Sequence, residues 1–168
     1  MANYPVTMYD FHVWANQTMI NRLKELPREV YTQEITSVFP TVSKALAHIY
    51  LVDSAWLSIL SGVEMRDALS ATFERTAQAE ALGLEELEAL YQEVSSGIQA
   101  FIREHADLEQ TIVLDNPYTS VRDTSYGEIL LQIVNHGTYH RGNITAMLRQ
   151  MGHASTMTEY ALYWYAKE

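Results

Sequence analysis

His136 and His140 stand four residues apart in the stretch SYGEILLQIVNHGTYHRGNITAMLRQMG, residues 125–152. On a helix that spacing puts two imidazoles on one face, about one turn apart, where both can point at one metal ion. Ile129, Ile133, His136, His140, Ile144, Met147 and Met151 recur at three- and four-residue steps, so the pair lies in an apolar stripe that should face a core. A buried imidazole needs partners for both ring nitrogens. The competing reading is a pair of core histidines hydrogen-bonded to carbonyls or tyrosines. Two features favour a metal: Gly137 leaves space beside the seam, and a third histidine, His48, falls on the inward stripe of another segment.

The count of ligands sets the chemistry. Three neutral imidazoles on a divalent ion leave positions open for water or substrate, which is the catalytic rather than the structural arrangement. The chain has no cysteine, so disulfides, thiolate ligands and a cysteine nucleophile are excluded. Zinc and nickel suit imidazole best. The zinc-peptidase pattern has Glu after its first histidine, whereas Gly137 stands there, so a peptidase is a poor reading.

Asp53 follows His48 by five residues, about 140° around a helix, and reads as a neighbour rather than a fellow ligand. Asp53, Tyr139, Arg141 and Asn143 are candidates for steadying the ligands or handling protons, although each is more often a surface or capping residue. His12 is an outside candidate for the site and reads first as a hydrogen-bonded helix histidine. His105 falls near a helix C-terminus, where a partly charged imidazole is stabilised. His153, after a stop glycine, is expected in solvent.

The elements that must hold these residues are legible. Ser125 and Glu128 have the spacing of a capping box, and Gly152 is the residue type that ends a helix. A first helix is expected over residues 7–26, with Phe11, Trp14, Ala15, Thr18, Met19, Arg22, Leu23 and Leu26 inward and His12 at the edge. Residues 27–40 form a connector that packs on the bundle. The second helix, residues 41–60, carries Ala45, His48, Val52, Ala55, Trp56 and Ile59 inward and stops at Ser61 and Gly62. Residues 62–83 read as a long polar crossover with little periodicity, so simple up-down alternation does not follow.

A third helix covers residues 84–106, with Leu87, Leu90, Tyr91, Val94, Ile98, Phe101 and Ile102 inside. Residues 110–114 and 119–122 bracket Asp-Asn-Pro and read as a small hairpin before the last long helix. The tail, residues 154–168, reads as a short helical segment over the bundle. The fold class is therefore all-α: a four-helix bundle with a long crossover, in one domain, residues 1–168.

Composition bounds the partners. Hydrophobic residues make up 48% and charged residues 19%, a globular rather than disordered balance. A formal charge of -10 repels phosphate backbones, so no nucleic-acid partner is expected. Neither a secretory signal nor a membrane span is apparent, which makes the cytoplasm the default location and leaves no membrane partner.

Three segments carry a family resemblance: WANQTMINRLKELP (14–27), LAHIYLVDSAWL (46–57) and NHGTYHRGNITAMLRQMG (135–152). With the helices between them, the chain resembles the DinB-like (damage-inducible) family over nearly its whole length. The resemblance implies a four-helix bundle whose metal ligands are His48, His136 and His140. Relatives include bacillithiol S-transferases and mycothiol-dependent maleylpyruvate isomerases. It therefore implies a metal-dependent enzyme, a thiol S-transferase in which the metal holds a low-molecular-weight thiol as thiolate against a small electrophile. The alternatives are metal-assisted hydrolysis without thiol, and a non-catalytic metal-binding or interaction module of the stress response. Family analogy also implies a homodimer. The family name implies induction by DNA damage, not contact with DNA.

Overall fold

The computed structural model describes residues 3–166. These form helices α1 (Tyr4–Lys24), α2 (Glu29–Thr32), α3 (Val42–Leu60), α4 (Met65–Glu80) and α5 (Leu84–Glu104). A hairpin of β1 (Thr111–Asp115) and β2 (Val121–Ser125) follows, then α6 (Tyr126–Gln150) and α7 (Tyr160–Tyr163).

Helices α1, α3, α5 and α6 are the bundle. α6 packs between α1 and α3, and α5 closes the opposite side against the same two. Met19, Ile20, Leu46, Ile49, Leu87, Ile98, Ile129, Ile133 and Ile144 are fully buried where the four faces meet. Burial of nine such side chains, at about 1.5–3 kcal/mol each, is the main force holding these amphipathic faces together.

Local signals set the ends of α6. Ser125 Oγ accepts from the Glu128 N–H at 3.2 Å, and Glu128 accepts from the Ser125 N–H at 3.0 Å. Gly152 has φ of +84°, the left-handed conformation that an L side chain resists, and the His153 N–H returns to the Leu148 carbonyl. α3 begins with Thr41 outside the helix, its hydroxyl accepting from the Lys44 N–H at 3.2 Å.

The crossover departs from the sequence expectation. Residues 65–80 are a helix, α4, laid along α3. Its inward positions are Met65, Ala68 and Ala79, with Thr72 and Thr76 returning their hydroxyls to carbonyls four residues back. Small side chains let two helices approach closely but leave almost no apolar periodicity to read. The hairpin forms, with its second strand at 121–125 rather than 119–122: Thr111 pairs with Ser125 and Asp115 with Val121, antiparallel. The tail also packs, with Tyr163 of α7 buried against Phe11, Ala15 and Val134.

The face of α1 is rotated from the expected one. Tyr9, His12, Asn16, Met19 and Leu23 are buried, whereas Trp14, Thr18 and Arg22 are only half-buried. The polar pair His12 and Asn16 thus points into the bundle. No described helix is long and apolar enough to cross a membrane.

Candidate metal centre

α3 contributes His48 and α6 contributes His136 and His140. One ligand-capable atom of each lies within 4.8 Å of the others, and no other such group of His, Asp or Glu occurs among the described residues. His48 Nε2 and His136 Nε2 are 3.1 Å apart. Two nitrogens each about 2.0–2.1 Å from one ion are separated by that distance when they subtend about 100°. The ring centroids of His48 and His140 are 4.6 Å apart and those of His136 and His140 are 4.4 Å apart.

Electrostatics keep these rings neutral. Burial pushes His136 down to about 3, and the facing rings of His140 and His48 push the same way. Burial also takes His140 down to about 4, helped by His48. His48 is lowered by burial too, against the pull of the Asp53 carboxylate. Neutral imidazoles are the protonation state that a cation requires.

His136 Nδ1 is buried with no hydrogen-bond partner among the described residues, while its Nε2 faces another imidazole nitrogen. Such a ring is poorly satisfied by protein alone. Two neutral rings set nitrogen to nitrogen at 3.1 Å either share one N–H or present both lone pairs to a cation. The donor set therefore fits a divalent cation held by His48, His136 and His140.

The surroundings are partly open. His48 and His136 are half-buried and His140 is 9% exposed. Phe39, on the connector before α3, lies against both His48 and His140, with ring centroids 5.3 and 5.4 Å away. Tyr139 stands at the mouth, 65% exposed, with its ring against that of His140. The Asn143 amide lies 3.2 Å from His140 Nδ1.

Asp53 is absent from the histidine group. It is buried, and its Oδ2 accepts from His12 Nε2–H at 2.8 Å. Arg141 turns inward and is 1% exposed, not on the surface. Its Nη1 donates to Asn16 Oδ1 at 2.7 Å and lies 3.3 Å from His12 Nδ1, and its Nη2 donates to Thr138 Oγ1 at 2.9 Å. Burial lowers Arg141 only to about 10, so it stays charged at neutral pH.

An always-protonated guanidinium against Nδ1 makes that nitrogen the acceptor, which leaves the His12 proton on Nε2 for Asp53. The Asn16 Nδ2 atom, 2.9 Å from the same Nε2, then has no lone pair to donate to, and the carboxylate is the partner. His12 is thus a hydrogen-bonded core histidine, as its sequence setting implied. Asn16 is a site-supporting residue absent from the sequence candidates, and its signal is the stripe Tyr9, His12, Asn16, Met19 and Leu23, which repeats at three- and four-residue steps. His105 caps α5, with Nδ1 3.0 Å from the Phe101 carbonyl, and His153 is half-buried rather than fully in solvent.

The DinB family profile matches residues 1–168. Protein DinB of Bacillus subtilis (strain 168) is 45% identical over 163 residues, which cover 97% of this chain and 95% of that protein. A DinB-like protein from Bacillus cereus ATCC 10987 has a similar crystal structure, with a TM-score of 0.63 at 17% identity over 91% of this chain and 94% of that one. The mycothiol-dependent maleylpyruvate isomerase is similar in structure with a TM-score of 0.62 at 14% identity, over 85% of this chain and 62% of the isomerase. At identities this low the two structures speak for the fold alone. The full-length profile match and the near-full-length relative, together with the helical bundle, show that this chain belongs to the DinB family.

Proposed function

We propose that the protein is a divalent-metal-dependent enzyme, with His48, His136 and His140 as ligands and zinc or nickel as the ion. The reaction we assign is S-transfer from a low-molecular-weight thiol to a small electrophile. The observation that carries this reading is the convergence of three neutral imidazoles from two helices at a half-exposed rim. Three protein ligands leave room for an exogenous one.

The fold shared with a mycothiol-dependent enzyme supports a thiol as that exogenous ligand. The chain has no cysteine of its own, so the nucleophilic sulfur comes from outside. A bound divalent ion lowers the pKa of a thiol that reaches it, which makes thiolate available at neutral pH.

The chain's own residues do the rest. Phe39 covers two of the three rings and keeps water from that side. Asn143, with its amide turned to present Oδ1, accepts from His140 Nδ1–H and so leaves the Nε2 lone pair for the ion. Asp53 lies buried outside the histidine group, with its Oδ2 held by His12, and does not serve as a base for a thiol at the ion. The thiol proton therefore leaves to solvent, the sulfur forms its bond to the electrophile's carbon, and the leaving group departs with its electron pair.

Metal analysis of the wild type beside His48→Ala, His136→Ala and His140→Ala tests the site. Stoichiometric metal in the wild type and its loss in each variant is expected; full retention in all three rejects the ligand set. A panel of electrophiles with and without added thiol tests the reaction. Turnover should require the thiol, and turnover without it would favour hydrolysis. A metal-loaded protein that turns over nothing would instead be a binding module.

A further inference from the structure

Behind the three histidines, a buried polar chain joins three helices. Arg141 on α6 reaches Asn16 and His12 on α1, and His12 passes the contact to Asp53 on α3. Arg141, His12, Asn16 and Asp53 are all 3% exposed or less. Burying an anion and a cation in this way is costly, and apolar residues of similar volume often give equal or greater stability. Stability alone is therefore a weak account of the chain.

Its placement gives a better one. The histidines bridge α3 and α6 directly, and the Arg141–His12–Asp53 chain joins the same two helices through α1. Arg141 adjoins His140 in sequence, Gly137 adjoins His136, and Asp53 is about 1.4 turns past His48.

Gly137 sets how deeply the two layers interlock. A Cβ there would stand 2.3 Å from His12 Cε1, 2.6 Å from His12 Nδ1 and 2.8 Å from Arg141 Nη1. Glycine inside a helix costs about 1 kcal/mol relative to alanine. Here it lets the His12 ring seat against the α6 backbone.

We propose that His12, Asn16, Asp53, Arg141 and Gly137 are positioning residues that preset the spacing and register of α6 against α3, so that His136 and His140 meet His48 before any ion arrives. This rests on the metal reading above. Directional hydrogen bonds define a register, whereas apolar faces tolerate sliding. The tolerance of a metal site is only about 0.2 Å in ligand distance. A helix displaced by the width of one methyl group exceeds it several-fold.

The test uses Gly137→Ala, which keeps every polar group but pushes on the ring, and Asn16→Leu, which removes the Arg141 acceptor. Asn16→Asp keeps that acceptor and serves as the conservative rescue. Zinc affinity is read by chelator competition, and folding of the metal-free protein by thermal melting. The cysteine-free chain also permits spin labels on Lys44→Cys in α3 and Ala146→Cys in α6 without background.

Gly137→Ala and Asn16→Leu should fold, bind zinc about tenfold or more weakly, and show shifted or broadened α3–α6 distances without metal. Asn16→Asp should bind within about threefold of wild type, since its carboxylate still accepts from Arg141. Folded variants with wild-type distances overturn the proposal, whatever their zinc affinity. If the wild type takes up no zinc, the metal reading fails and the label distances alone decide the positioning claim. If Asn16→Leu does not fold, Gly137→Ala carries the test.

Discussion

A histidine whose folded form refuses a proton changes the pH response of the whole chain. His136 is held near 3 and His140 near 4, chiefly by burial, while the same residues in the unfolded chain titrate at 6.5. Between those values the unfolded state binds protons that the folded state does not, so acid draws the metal-free protein toward unfolding. This contribution is fully present above pH 6.5 and is lost as the pH falls through the window toward 3. After discounting for the solvent-facing edges of the rings, the loss for His136 is on the order of 1–2 kcal/mol by pH 4.5. Urea unfolding of metal-free wild type and His136→Ala from pH 7.5 to 4.5 measures it. The wild type should lose stability more steeply; parallel curves would remove the linkage. The three histidines were legible because their apolar neighbours fixed the inward stripe of each helix. Asn16 and the inward turn of Arg141 were not, because a polar residue on an inner face makes sense only with partners across the bundle, and these come from segments 125 residues apart.

Among the elements, α6 and α4 mark the two limits of what pattern can reveal. α6 carries its start, stop and stripe in the chain itself: a capping box at Ser125 and Glu128, a left-handed Gly152, and isoleucines at helical spacing. α4 carries none of these; its side toward α3 is Ala68, Thr72, Thr76 and Ala79, and its helicity comes from Ala and Glu propensity and from the neighbour it lies on. A contact made of small residues fails by overpacking rather than by loss of burial. Ala68, 3% exposed, leaves no room for a longer side chain. Ala68→Leu should cost about 1–3 kcal/mol by denaturant unfolding, even though leucine is the more hydrophobic residue. Phe73→Ser, on the solvent side of the same helix and 69% exposed, should stay within about 0.5 kcal/mol of wild type. If Ala68→Leu were instead stabilising, α4 would be resting loosely on α3.

For the molecule as a whole, an ion on His48, His136 and His140 would tie α3 to α6 across 88 residues of chain, so occupancy and global stability would be linked. Binding to the folded state alone adds about 2.7 kcal/mol when free metal is a hundredfold above the dissociation constant. A domain of 168 residues gains about 2–4 °C in melting temperature for each kcal/mol. Wild type should thus melt about 5–10 °C higher with zinc at that excess, and His140→Ala should not respond. The pH behaviour sharpens the outcome. Because burial has already lowered the three imidazoles, protons compete poorly for their lone pairs, and the zinc-dependent shift should persist at pH 6, where ordinary histidines are largely protonated. A shift that vanishes between pH 7 and 6 would place the ion outside the buried cluster instead. A shift that persists at pH 6 and is abolished by His140→Ala ties the stability of the bundle to the cluster between α3 and α6.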